Sequence, residues 1–114
     1  MTDIAQLDTE EHGAALLAVI TGEIDLSNAV ELESRVVEAA GELAALVVDL
    51  TAVTFLDSAG VRLLDHLVAA RQPDLQVRVV VSETGPVPFT LRLCGFRADL
   101  ICGSRDEALA ELTT

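Results

Sequence analysis

The sequence predicts an α/β domain with a mixed sheet, and the order of its expected elements, β-β-α-β-α-β-α-β-α, carries that prediction. Residues 46–50 are apolar except for Asp49, a pattern that is typical of a strand buried on both faces. Residues 58–70 have helical periodicity, and residues 75–81 are expected to form the next strand. Two strands joined by a helix form a parallel pair with a right-handed crossover. At 114 residues, the chain is expected to form one domain, 1–114.

The part of the chain before the buried strand is predicted to hold two strands and a helix. Residues 16–20 are apolar and are expected to form a strand that ends at Gly22. A weaker strand is expected near residues 4–7. A helix is expected to start at Ser27 or Asn28, and Asn28 and Glu31 have the spacing of a capping box. The apolar stripe of this helix is expected to consist of Ala29, Leu32, Val36 and Ala40.

The second half of the chain is predicted to alternate helices and strands. Residues 85–88 form a proline-containing turn that is expected to lead into a short helix. A short strand is expected at 100–102. Ser104 and Glu107 have capping-box spacing and are expected to open a final helix. The inward stripe of the helix at 58–70 is expected to consist of Val61, Leu64, Leu67 and Val68.

The charge of the chain excludes several classes of function. The formal net charge is −12, and the seven basic residues are all arginines, scattered along the sequence. Binding to nucleic acid or to an anionic membrane surface needs a basic patch, so neither is expected. Without lysine, a P-loop lysine and Schiff-base chemistry are excluded. An acidic surface favours a protein partner that has a basic face.

Other sequence features point to a cytoplasmic protein without bound metal. No apolar stretch approaches the ~18 residues of a membrane span, and the start of the chain lacks the pattern of a secretory signal. Cys94 and Cys102 are expected to be reduced thiols. The two thiols do not have C-x-x-C spacing, and the sequence shows no companion ligands for a metal site. No metal ligands and no cofactor are therefore expected.

Ser58 follows the buried strand and opens the next predicted helix, where a serine has two plausible roles. As a plain N-cap, its oxygen would accept a free backbone N–H of the first turn. Alternatively it could carry a phosphoryl group, since the positive end of a helix suits added negative charge. The residues alone leave both roles open.

Three segments resemble the STAS domain, and in particular the bacterial anti-sigma factor antagonists. Residues 49–60 read D-L-T-A-V-T-F-L-D-S-A-G, close to the family pattern D-L-S-x-V-x-F-x-D-S-[ST]-G. Residues 21–25 and 91–96 match upstream and downstream segments in the same order and spacing. Ala59 departs from the pattern by replacing the second hydroxyl residue, which leaves Ser58. Arg62 departs from it by placing a charge where the family usually has a small residue.

The resemblance implies a fold, a function and partners. The helices would gather mainly on one side of the sheet. Ser58 would be phosphorylated by a GHKL-type ATPase that is both an anti-sigma factor and a serine kinase. The protein would regulate transcription during a stress response. The unmodified protein would bind this kinase and release the sigma factor, and a PP2C-type phosphatase would reset the phosphorylated form.

The resemblance also implies which residues contact the partner. Asp57, Ser58 and Ala59 lie at the motif itself, and Gly60 would be small enough to let a partner approach. Asp25 would recognise the kinase or position the serine hydroxyl, or it would only prepare the start of the first helix. The helical periodicity, and not the resemblance, predicts that Arg62 is exposed, as either a contact at the rim or a solvated partner of Asp65 on its own helix.

An enzymatic role is not expected. His12 and His66 are the two histidines of the chain, and both are expected to be solvated. His66 lies eight residues along the helix from Ser58, roughly 12 Å at ~1.5 Å per residue, too far to accept its proton. The alternatives are a non-switching STAS subunit of a transporter or signalling assembly and, as a control, a small hydrolase that uses Ser58.

Overall fold

The computed structural model describes residues 4–70 and 76–112. Strands and helices alternate in the predicted order, with one short 3-10 helix in addition, Ala98–Leu100. The strands are β1 (Ala5–His12), β2 (Ala15–Ile24), β3 (Ala45–Leu56), β4 (Val77–Val80) and β5 (Ile101–Cys102). The helices are α1 (Ala29–Ala40), α2 (Ser58–Ala69), α3 (Pro86–Leu93) and α4 (Arg105–Leu112).

The sheet is mixed, as predicted. Its strands lie in the order β1-β2-β3-β4-β5, with β1 antiparallel to β2 and every other pair parallel. The expected start of the fourth strand at residue 75 lies outside the described residues. None of the helices in the described part of the chain is long and apolar enough to cross a bilayer.

The helices cover the two faces of the sheet unequally, which confirms the expectation of helices mainly on one side. Helices α1, α2 and α3 pack on one face and share a large core with alternate residues of β2, β3 and β4. Helix α4 covers the other face. The smaller core beneath it consists of Ala15, Leu17, Ala45, Val47, Val80, Cys102, Ala108 and Leu112.

Three strands are longer than predicted, and the first of them, β1, was expected near residues 4–7 but continues to His12. Strand β2 continues through Gly22 to Ile24, because Gly22 has a positive φ of 97° and allows the Ile4 carbonyl to approach its backbone. Strand β3 continues six residues beyond Leu50, where a connection was expected. The extension pairs with β2 alone, since β4 pairs with β3 only as far as Asp49. It therefore lacks the continuous apolar run of a strand with two neighbours.

The predicted capping box at the start of α1 is wrong. Asn28 occupies the N-cap position, but its side chain makes no cap hydrogen bond. Its Oδ1 instead accepts from Asp25 N at 3.0 Å, and its Nδ2 donates to the Glu23 carbonyl at 2.9 Å. The side chain therefore braces the loop before α1. At α4, Ser104 Oγ does accept from Glu107 N, at 3.1 Å.

Candidate functional site

Parallel strands β2 and β3 end side by side, and this places the predicted site residues together at one edge of the sheet. Ile24 pairs with Leu56, and Asp57 N donates to the Ile24 carbonyl at 3.3 Å. Asp25 directly follows β2, just as Asp57 directly follows β3. Neighbouring strands lie about 4.8 Å apart, so the loop that holds Asp25 lies beside the start of α2.

Asp57, and not Ser58, caps α2, so the N-cap role considered for Ser58 is wrong. Asp57 has extended backbone angles, and its Oδ1 accepts from Ala59 N at 2.9 Å and from Gly60 N at 3.2 Å. Ser58 is the first helical residue and is exposed. Within the described part of the chain, no hydrogen bond occupies its hydroxyl, which leaves that group available for chemistry.

Asp25 organises the turn that leads into α1. Its Oδ1 accepts hydrogen bonds from the Ser27 hydroxyl and, at 2.8 Å, from Ser27 N, and these bonds lower the pKa of the carboxyl below its usual value. Its carbonyl accepts from Ala29 N at 2.9 Å. This is the helix-preparing role that the sequence left open. A contact between Asp25 and a partner stays a prediction.

Gly60 allows the start of α2 to pack closely against the ends of β2 and β3. It is buried, and a Cβ added there would lie 2.2 Å from Leu56 Cδ1 and 3.2 Å from Ile24 Cγ2. The glycine is therefore required by packing inside the protein. Its predicted contact with a partner stays a prediction, while the half-buried Ala59 lies at the surface beside it.

Exposed apolar side chains lie near the start of α2, and the sequence interpretation missed them. Leu26 is 76% exposed, Val30 75% and Phe55 44%. Leu26 and Val30 line a shallow groove between α1 and α2, and Ala59 and Arg62 form part of its other wall. A signal was present in the sequence, since Val30 lies outside the apolar stripe of α1. Exposed apolar groups of this kind mark interaction sites when they are contiguous.

Neither histidine is placed as a catalytic base for Ser58. His66 Nδ1 lies 2.8 Å from Glu33 Oε1, so this side chain links α2 to α1, where solvation alone was expected. His12 ends β1 and pairs with Ala15, at the opposite end of β2 from the site. The ten residues of β2 extend over roughly 30 Å.

The expectation that the cysteines lack companions for a metal is wrong for Cys102. Its Sγ and the carboxylates of Glu107 and Glu111 lie within 4.8 Å of one another under α4. However, Glu111 binds Arg78 Nε at 2.7 Å and Glu107 accepts from Gly103 N at 3.1 Å. Burial, reinforced by the two carboxylates, raises the pKa of Cys102 to about 11, which favours the thiol over the thiolate that metals bind.

Solved structures with this fold include anti-sigma factor antagonists. An anti-sigma factor antagonist from Mycobacterium paratuberculosis is 26% identical, with a TM-score of 0.88 over 96% of this chain and 95% of that one. The Bacillus cell fate determinant SpoIIAA in its phosphorylated form is 14% identical, with a TM-score of 0.69 over 93% of this chain and 98% of that one.

A transporter contains the same fold. The murine anion transporter solute carrier 26 family member A9, in its inward-facing state, is 14% identical with a TM-score of 0.71. The match covers 90% of this chain but only 18% of the transporter. At this identity, the likeness shows the fold alone.

The comparison with protein-family models agrees with the structural matches. No curated protein sequence is a significant match to this chain. The family model of the STAS domain matches residues 6–108, which is most of the chain and includes every predicted site residue. The chain therefore belongs to the STAS domain family.

Proposed function

We propose that this chain is an anti-sigma factor antagonist that works as a phosphorylation switch at Ser58. The unmodified form binds an anti-sigma factor that is also a serine kinase and thereby releases the sigma factor, and the phosphorylated form does not bind. The carrying observation is the exposed Ser58, whose hydroxyl has no hydrogen bond within residues 4–70 and 76–112. Its neighbour Ala59 lines a groove together with the exposed Leu26 and Val30. Similarity to the mycobacterial antagonist supports the proposal.

The fold tolerates the modification while the complex does not. A phosphoryl group adds about −1.5 to −2 charges, and the dipole at a helix N-terminus stabilises such charge by roughly 0.3–1 kcal/mol, which partly offsets repulsion by the Asp57 carboxylate. In a closed interface the same group would be desolvated and would repel the adjacent Asp57 carboxylate, at a cost of several kcal/mol. A loss of ~3 kcal/mol already weakens binding more than a hundredfold. SpoIIAA, which shares the fold, has a structure in a phosphorylated form.

The partners follow from this mechanism. The kinase is a GHKL-type ATPase that transfers the phosphoryl group of ATP to Ser58, and a PP2C-type phosphatase removes that group. All three proteins act in the cytoplasm. The antagonist itself is not an enzyme. With a net charge of −12, it favours a basic face on the kinase, which accelerates their encounter. The contact surface would include Asp25, Asp57, Ser58, Ala59 and Arg62, with Gly60 beneath it.

Intact-mass and peptide-mapping measurements test the switch. The protein is mixed with ATP and candidate kinase-type anti-sigma factors, and we expect one added phosphoryl group on Ser58. Ser58→Ala should abolish it. Ser34→Ala, which removes another exposed serine on α1, should not. A phosphoryl group on Ser34, or equal binding of the kinase by the modified and unmodified proteins, would contradict the proposal.

The second candidate function is a non-switching STAS subunit of a transporter or signalling assembly. It is favoured by the match of this fold to part of the murine anion transporter. In that case the protein should form a stable complex that Ser58→Ala and Ser58→Asp leave unchanged. A phosphorylation-dependent complex would decide against this candidate.

A further inference from the structure

Arg62 occupies a special position relative to Ser58. It lies four residues further along α2, one helical turn away, and is exposed. Residues at this spacing have Cβ atoms about 5–6 Å apart, and helical side chains lean toward the N-terminus. The Arg62 side chain therefore leans toward the turn that holds Ser58. Across residues 4–70 and 76–112, Arg62 makes no hydrogen bond or ion pair, so its guanidinium is unengaged.

A phosphate on Ser58 would need a cation, because the usual ligands are already occupied. Anions at helix N-termini bind free backbone N–H groups of the first turn. Here Asp57 Oδ1 accepts from two of these groups, on Ala59 and Gly60. The Asp57 carboxylate also adds a negative charge beside the phosphate. The first turn of α2 thus offers repulsion and few donors to a phosphate.

Other charged groups near this turn do not supply the missing cation. Glu33 on α1 faces α2 and is engaged by His66 at 2.8 Å. Asp65 on α2 and Asp25 in the loop before α1 are both acidic. Arg62 is the one arginine of α2, and it is the group whose reach and charge match a phosphate.

We propose that Arg62 clamps the phosphorylated form by donating guanidinium N–H groups to the phosphate on Ser58 of the same chain. This inference rests on the proposed phosphorylation of Ser58. A guanidinium group forms bidentate, charge-assisted hydrogen bonds with a phosphate group. The clamp also withdraws Arg62 from the surface that meets the kinase. Phosphorylation would then add a repulsive charge and remove a cationic contact in one step.

Phosphorus NMR titration of homogeneous phosphoserine protein tests the clamp. Phosphoserine is incorporated at position 58 during synthesis, so no kinase is needed, and the second pKa of the phosphate, ordinarily about 6, is measured. Pairing with a cation lowers this pKa. We expect Arg62→Gln to raise it by about 0.3–0.7, a range typical of exposed ion pairs made by a divalent group. Arg62→Lys should recover part of the effect.

The control removes an equivalent charge at a distance. Arg92→Gln changes an exposed arginine on α3 and should leave the phosphate pKa at the wild-type value. His66, which lies on the same helix, is present in all four proteins. Equal pKa values in the wild type and Arg62→Gln, or an equal rise in Arg92→Gln, would overturn the clamp. A shift confined to Arg62 variants supports it even if no kinase modifies Ser58, in which case the proposed function alone fails.

Discussion

The absence of a Cβ atom at Gly60 sets the position of α2, the helix that carries Ser58. We expect Gly60→Ala to destabilise the fold, because its Cβ would lie 2.2 Å from Leu56 Cδ1, and Leu56 is itself buried. Overpacking typically costs about 1–3 kcal/mol, and the better helix propensity of alanine recovers up to ~1 kcal/mol. The net loss in the free energy of unfolding, measured with urea, should be about 0.5–2 kcal/mol.

Gly103→Ala is the matched control for this measurement. A Cβ at Gly103 would meet Glu107 Oε2 at 3.7 Å, an ordinary contact, so we expect a change within about 0.5 kcal/mol. If Gly60→Ala were as stable as the control, the start of α2 would have room to move. The role assigned to Gly60 in positioning the helix would then be wrong.

At the residue scale, the sequence predicted the neighbourhood of the site better than its hydrogen bonds. Asp57 and Ser58 are both good capping residues, so the sequence could not decide between them. The decision depends on the extended backbone at Asp57, which follows from pairing of β3 with β2 through Leu56. A local pattern does not contain that information, because strand pairing joins segments distant in sequence.

At the element scale, an ion pair between half-exposed Arg105 and buried Asp49 joins α4 to the sheet. Asp49 on β3 is 1% exposed, and its Oδ2 accepts from Arg105 Nε at the start of α4. Its Oδ1 accepts from Thr51 N at 2.8 Å and from Thr51 Oγ1 at 2.7 Å. Burial acts to raise the pKa of Asp49, but the bonds from Thr51 and Arg105 outweigh it and hold the pKa below its usual value.

Arg105→Gln should weaken the fold in a pH-dependent way. Breaking a buried pair costs about 3–5 kcal/mol, but Arg105 is 48% exposed, so we expect about 1–2 kcal/mol near pH 7. Because the pKa of Asp49 is lowered, its contribution is fully present above the unfolded pKa of about 3.9 and is lost as the pH falls through the folded value. Urea unfolding of both proteins between pH 7 and pH 3 measures the difference, which should shrink below about pH 4.

Arg97→Gln provides the control for an arginine that pairs only at the surface. Arg97 and Asp99 form an exposed ion pair, 2.6 Å between Nη2 and Oδ2, and its loss should leave the urea midpoint unchanged. A constant difference between the wild type and Arg105→Gln down to pH 3 would mean that Arg105 acts by packing, without the charge of Asp49.

The elements themselves were predictable where their burial is complete. Strand β3 was recognised from 46–50, where β2 and β4 flank it, and missed from 51–56, where only β2 does. Helix α2 was bounded correctly, although its buried face also includes Leu63, which the predicted stripe omitted. Hydrophobic periodicity thus predicts which face of a helix is buried when a single face is covered. The further burial of α2 by β3 and α3 arises only in the assembled fold.

At the scale of the whole molecule, the sheet separates two cores of unequal strength. Helices α1, α2 and α3 contribute many buried residues to one core, whereas α4 contributes Ala108 and Leu112 to the other. An element with few buried contacts opens locally before the rest of the protein unfolds. We therefore expect α4 to open as a unit of its own. The site at Ser58 belongs to the larger core and should stay intact during this opening.

Cys102, which lies beneath α4, reports this opening. The thiol is 3% exposed, and with its pKa raised to about 11 only ~0.1% is thiolate at pH 8, so a thiol reagent should label exposed Cys94 first. In a Cys94→Ser background, Arg105→Gln should accelerate labelling of Cys102 by roughly 5–30-fold, the ratio that 1–2 kcal/mol represents. Gly60→Ala, which weakens only the opposite face, should leave the rate unchanged. Equal acceleration by both substitutions would mean that the two cores unfold together, and that strain at α2 is transmitted through the sheet to α4.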